Sequence, residues 1–153
     1  MTVEEKVGQT IMADLDFIKP LDLRRYPIGG ILNGGNTSPN GNQQASTDEW
    51  KSLAQDFYEE SIKTGSNIPI LWGTDAVHGH SNVLGATIFP HNIGLGASAN
   101  EQLLEAIGAA VAEEVLATGL YWTFAPTVTV PQDYRWGRTY EGYSCLLYTS
   151  PSP

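Results

Sequence analysis

The residues best equipped for chemistry lie in two segments. "WGTDAVHGH" (72–80) sets a carboxylate, Asp75, directly after an apolar run, with His78 and His80 three and five residues further on. "DYRWGRTYEGYS" (133–144) is dense in Arg, Trp and Tyr and carries Arg135, Arg138 and Glu141. A carboxylate that leaves a buried strand should sit near a pocket floor. Unpaired in that position it would be strongly destabilising, so it needs donors: sugar hydroxyls, an arginine, or backbone N–H groups. A plainer alternative is an aspartate that caps a helix or orders a loop. In the second segment, arginine offers a planar fork of donors, and aromatic faces can stack on the C–H faces of sugars. The plainer alternative there is a loop pinned by an Arg135–Glu141 or Arg138–Glu141 pair.

Two other patterns have a chemical reading. His78-Gly-His80, joined by His91, could supply a three-ligand open metal site of the kind zinc accepts, as at the start of an amidohydrolase-type centre. Gly79 puts the pair in a flexible loop, however, and hydrogen-bonded scaffolding explains the three histidines as well. Gly94-Leu-Gly96-Ala-Ser-Ala99 matches G-x-G-x-x-A, but a dinucleotide fingerprint needs a strand immediately before it. Pro90-His-Asn stands there instead, so a close-packed turn is expected. The glycines of "GGILNGG" (29–35) lack nucleotide-binding spacing and read as turn residues.

The elements that must position these residues follow from periodicity. Thr2-Val-Glu-Glu5 and Ser46-Thr-Asp-Glu49 have the form of capping boxes, and Ser98-Ala-Asn-Glu101 opens a further helix. The first box starts a short helix to about Met12. The second starts a helix with Trp50, Leu53, Ala54, Phe57 and Ile62 on one face and Gly65 as its stop. The third has Leu103, Leu104, Ile107, Val111 and Val115 on its face and ends at Gly119. Between the helices, "PIGGIL" (27–32), "IPILWG" (68–73) and "LYWTFAP" (120–126) are short continuous apolar runs, hence strands buried on both faces. The order β-α-β-α-β predicts parallel strands joined by right-handed crossovers, with any site at the strands' carboxyl ends.

Composition narrows the partners. The chain has 153 residues, 41% hydrophobic and 16% charged, which suits a globular α/β domain with a real core. Seventeen acidic against eight basic residues give a net charge of −9. That excess repels phosphate backbones and anionic lipid, which argues against nucleic-acid and membrane partners and favours a neutral polar substrate. No apolar run approaches the length of a transmembrane helix, and "MTVEEKVGQT" lacks the basic-then-apolar pattern of a signal peptide. The single cysteine, Cys145, opens an uncharged tail, "CLLYTSPSP" (145–153), unlike everything before it.

Together these segments resemble the N-terminal domain of family-3 glycoside hydrolases. The similarity rests mainly on "IPILWGTDAVHGHSNVLGATIFPHNIGLGA" and "ATGLYWTFAPTVTVPQDYRWGRTYEGYS", with "EEKVGQ" and "GGILNGGNTSP" in agreement. It runs from Met1 to Ser144 and points to the β-glucosidase and exo-β-glucan glucosidase branch. The resemblance implies a partial (β/α)8 TIM barrel, about the first three βα units, and a parent enzyme that removes β-linked glucose from non-reducing ends with retention. Asp75 and Arg138 match positions that grip the glucose hydroxyls. No catalytic residue is expected in this chain: the nucleophile aspartate and the acid/base glutamate would lie beyond it, as would the rest of the barrel and the second domain. No cofactor and no metal is implied, and β-linked glucosides or oligosaccharides are the expected ligands. The parent is expected to be periplasmic or secreted. Residues 145–153 look like a translated sequencing adapter, so the domain is expected to span 1–144. Two other readings stand beside this one: a metal-dependent barrel hydrolase using His78, His80 and His91, and a non-catalytic sugar-binding module.

Overall fold

The computed structural model describes residues 1–146. Four strands form one parallel sheet in sequence order: β1 (Met12–Asp14), β2 (Gly30–Asn33), β3 (Leu71–Thr74) and β4 (Trp122–Thr123). Ile31 pairs with Ala13 on one side and Trp72 on the other, and Thr74 pairs with both Asn33 and Thr123. The carboxyl ends of β2, β3 and β4 are therefore level. A parallel sheet requires crossovers, which are long enough to hold helices. The second and third crossovers carry α2 (Thr47–Ser61) and α4 (Glu101–Ala117), and the first carries a 3-10 turn, Pro20–Arg24.

Both expected capping boxes form. The Thr2 hydroxyl accepts from Glu5 N while the Glu5 carboxylate accepts from Thr2 N, ahead of α1 (Val3–Gly8). Ser46 and Glu49 do the same ahead of α2. At the third start the cap is Asn100, whose side chain accepts from Leu103 N. Gly119 adopts φ +79° just after α4, the left-handed exit that only glycine takes without strain.

The core lies between the sheet and the crossovers. Ile31, Trp50, Phe57 and Leu120 are fully buried, and Val111 and Val115 of α4 join them. Phe57 meets Trp72 edge to face with centroids 5.5 Å apart, and Trp50 lies 6.2 Å from the same ring. Such pairs contribute roughly 0.5–1.5 kcal/mol each beyond their burial. Leu103, expected on the buried face of α4, is exposed one turn before the packed stretch begins.

Four expectations need correction. The first helix ends at Gly8 rather than near Met12, and Met12–Asp14 pairs as a strand, so the sheet has four strands where three were expected. Three residues are too few to show strand periodicity, and pairing with β2 decides the conformation. The G-x-G-x-x-A stretch is a short helix, α3 (Asn92–Ala97), not a turn. Its close packing does hold: a Cβ on Gly96 would lie 1.8 Å from Tyr143 O. Finally, α2 stops at Ser61, four residues before Gly65; Ser61 Oγ donates back to Tyr58 O (2.7 Å) and accepts from Ile70 N (3.0 Å), tying the helix end to the segment that leads into β3. The tail expectation falls on 145–153: Cys145 is exposed, and 147–153 lie outside the described residues.

Candidate functional site

Asp75 is the first residue beyond β3. Its backbone is held from several directions. Asp75 N donates to Asn33 O at the end of β2 (3.2 Å), and Asn82 Nδ2 donates to Asp75 O (3.2 Å). One residue either side, Phe124 N donates to Thr74 O (3.1 Å) and Thr123 Oγ1 to Ala76 O (3.1 Å). The main chain at Asp75 is thus tied to both neighbouring strands while its side chain is exposed. The carboxylate makes no hydrogen bond or ion pair among the described residues. The expectation of a carboxylate buried near the pocket floor is corrected: the Asp75 side chain is exposed at the strand end, with its acceptor sites open among the described residues.

Arg138 follows β4 and precedes the 3-10 turn Thr139–Glu141. Its guanidinium forks onto Glu141, Nε to Oε1 at 2.5 Å and Nη2 to Oε2 at 2.7 Å. Of the two pairings open in the sequence, this is the one that forms. Arg135 turns outward, 91% exposed, and pairs with Asp133 at 2.6 Å. The hydrogen-bonded Glu141 carboxylate raises the pKa of Arg138, and the nearby charge of Asp75 adds to the rise. In return the Arg138 guanidinium holds Glu141 below its usual range.

Asp75 and Arg138 line one open cavity of about 180 Å³, with His78, His91, Tyr140 and Glu141 around it. They do not pair directly. Three rings line the cavity together: His78 and His91 have centroids 4.4 Å apart, and Tyr140 meets His91 edge-on at 4.6 Å. His78 Nδ1 bonds Phe89 O (2.8 Å), and His91 Nδ1 accepts from Asn92 N (2.9 Å) as the cap of α3. Burial lowers the pKa of His91, and the neighbouring His78 adds to this.

His80 belongs elsewhere. It is fully buried, 6.0 Å from the Trp50 ring, with Nε2 bonded to Thr118 Oγ1 at 3.1 Å. Burial lowers its pKa. The three histidines therefore do not converge, and among the described residues no group of three or more His, Cys, Asp or Glu is placed to hold a metal ion. The metal-hydrolase reading is corrected on that geometry: His80 is turned into the core against Trp50 and Thr118, away from the cavity where His78 and His91 meet, so the third ligand is not there.

Sequence reasoning missed Tyr140, Ser81 and Gly35 as wall residues. Tyr140 had a signal, since it lies within the arginine-rich segment. Gly35 had none beyond its turn chemistry.

The sequence model described as the glycosyl hydrolase family 3 N-terminal domain matches residues 2–149. The fold superposes on the crystal structure of an exo-1,3/1,4-β-glucanase from a Pseudoalteromonas species with a TM-score of 0.86 at 51% identity, covering 94% of this chain and 18% of that one. A periplasmic β-glucosidase of Salmonella typhimurium is 31% identical over 148 residues, 94% of this chain and 17% of that protein. A lysosomal β-glucosidase of Dictyostelium discoideum is 28% identical over 160 residues, again 94% of this chain and 19% of that protein. The chain thus spans less than a fifth of the length of these relatives. The match covers both polar segments and all four strands, and the chain belongs to glycoside hydrolase family 3, in its N-terminal α/β domain.

Proposed function

We propose that the protein carrying this chain is a retaining β-glucosidase-type hydrolase that releases glucose from non-reducing ends of β-glucans or oligosaccharides. This chain contributes part of the glucose subsite through Asp75 and Arg138. The observation that carries the reading is the pairing of an open carboxylate with a guanidinium across one cavity at the carboxyl ends of β3 and β4. Asp75 offers acceptors with no protein partner, and Arg138 offers donors. A neutral polyol can use both at once. A retaining mechanism also needs two carboxyls about 5–5.5 Å apart on either side of the glycosidic bond. Asp75 is assigned to binding, and the reacting pair is assigned to sequence beyond this chain.

The names of the two β-glucosidase relatives place them in the periplasm and the lysosome. They support a periplasmic or secreted enzyme here, which fractionation of the source cells would check. The residues from Cys145 onward are proposed to be foreign to the domain, and sequencing the source DNA across codon 144 tests that.

The test of function is hydrolysis of an aryl β-glucoside by the full-length protein and its Asp75→Asn variant. Hydrogen bonds to a charged group are worth about 1.5–3 kcal/mol. Asn retains the shape and loses the charge, so kcat/KM should fall by about 10- to 100-fold with the fold intact. Unchanged kcat/KM would remove Asp75 from the subsite. A full-length protein with no glycosidase activity would favour a sugar-binding module.

A further inference from the structure

The ion pair beside Asp75 has an asymmetry that points to a division of labour. Arg138 is 68% exposed as a side chain, whereas Glu141 is only 12% exposed. Glu141 is also anchored by its main chain. Its carbonyl accepts from Asn92 Nδ2 at 2.8 Å, and Asn92 is fully buried at the start of α3. Its N–H closes the turn onto Arg138 O at 3.0 Å. Two residues on, Tyr143 O lies where only a glycine, Gly96, leaves room for it. The main chain that carries the carboxylate is therefore held by α3, which leaves the more exposed guanidinium as the partner freer to move.

We propose that Glu141 is the positioning residue for Arg138, fixing the face that the guanidinium turns to the cavity. A guanidinium has five N–H donors in a rigid fork. Glu141 engages Nε and Nη2 and leaves the Nη1 edge, plus one Nη2 donor, for a ligand. Without Glu141 the long arginine side chain would sample several rotamers, because nothing else among the described residues bonds it. Ordering it before the ligand arrives removes that cost from the binding step. The pairing also offsets the arginine's charge, so the cavity presents donors suited to neutral hydroxyls rather than a free cation.

This inference rests on the reading of Arg138 as a glucose-binding residue, and a double-mutant cycle separates the two. The full-length protein is assayed on an aryl β-glucoside as wild type, Glu141→Gln, Arg138→Ala and the double variant. Glu141→Gln keeps the shape and loses the charge. It is expected to lower kcat/KM about tenfold or more, with the thermal midpoint little changed. In the Arg138→Ala background the same substitution is expected to cost nothing further, because the group it positions is gone. A merely structural role would instead give additive losses in both backgrounds, and that result, or a Glu141→Gln variant with wild-type kcat/KM, would overturn the proposal. An Arg138→Ala variant with wild-type kcat/KM would sink the underlying assignment of Arg138 instead. Should Glu141→Gln be insoluble, Glu141→Asp keeps the charge with a shorter reach. It should lose activity in the wild-type background and none in the Arg138→Ala background, and loss in both would refute the proposal.

Discussion

Gly96→Ala offers the sharpest test of how α3 supports the site. Alanine is the better helix former, and in an unobstructed helix the change should stabilise by about 0.5–1 kcal/mol. Gly108, exposed near the middle of α4 with nothing within 4 Å of an added Cβ, is such a position. At Gly96 the added Cβ would stand 1.8 Å from Tyr143 O, 2.6 Å from its carbonyl carbon and 2.9 Å from its Cα. Ordinary contact begins near 3.4 Å. The obstacle is backbone and cannot swing aside as a flexible side chain would, so α3 and the 138–143 segment must separate by roughly 1.6 Å, the difference between those distances. Overpacking of this kind costs about 1–3 kcal/mol, which outweighs the gain in helix propensity. Less the gain of about 0.5–1 kcal/mol in propensity, Gly96→Ala should be destabilising by up to about 2.5 kcal/mol, while Gly108→Ala should be neutral or stabilising.

The consequence reaches the cavity, because the displaced segment carries Glu141 and, three residues earlier, Arg138. A shift of about 1 Å at a substrate-positioning group can cost on the order of a hundredfold in rate. The assay is the thermal midpoint and kcat/KM of the full-length protein with each substitution, on an aryl β-glucoside. Gly96→Ala should lower both, and Gly108→Ala should lower neither. If Gly96→Ala raised the midpoint and left kcat/KM intact, α3 would not be the support of the Arg138 segment.

Three other outcomes follow from the structure. Glu60 ties Arg24 of the first crossover and Lys63 to α2, and its hydrogen bonds to Arg24 and then Lys63 lower its pKa from 4.5 to about 2. A lowered carboxylate pKa contributes stability above the ordinary value that is lost as pH falls through the lowered one; Glu60→Gln should therefore flatten the stability–pH curve between about pH 4.5 and 2, as read by urea midpoints. Burial lowers the pKa of His80, so the folded state resists its protonation: stability should fall as pH drops below about 6.5, and His80→Gln should remove that slope. The isolated 153-residue chain should hydrolyse no aryl β-glucoside, because the reacting carboxyls are assigned elsewhere; turnover by a pure, soluble preparation would overturn that assignment.

Much of the frame was legible in the sequence for identifiable reasons. Capping boxes announce themselves because both halves of the motif lie within four residues, and Thr2–Glu5 and Ser46–Glu49 form as their letters require. The apolar runs 27–32 and 68–73 do carry β2 and β3, with β2 largely buried and β3 buried from Trp72 onward, although Leu71 is half exposed and β4 is only partly buried. Local signals failed where the deciding partner is distant. Met12–Asp14 is a strand only because β2 lies beside it, and its own letters continue a helical segment. The α3 helix is short and glycine-rich, against intrinsic propensity, and its N-cap comes from a histidine ring. Gly96 is there for Tyr143, 47 positions away, and no window of sequence contains both.

The site divides along the same line. The two segments that carry Asp75 and Arg138 stand out by composition, and parallel order alone predicts that they meet at one end of the sheet. What composition left open was which arginine turns inward. Asp133 sits two residues before Arg135 and captures it at the surface, whereas Arg138 and Glu141 lie three apart across a 3-10 turn and close on each other. That turn faces the cavity because Asn92 holds its carbonyl from a segment about fifty residues earlier. The histidines show the converse. His78, His80 and His91 look like one ligand set along the chain, yet a backbone carbonyl, a helix cap and a core threonine divide them. A cluster of chemically able residues in one loop becomes a site only where the fold leaves their polar atoms unspent. At this cavity, among the described residues, the charged atoms left unspent are the two carboxylate oxygens of Asp75 and the free edge of Arg138.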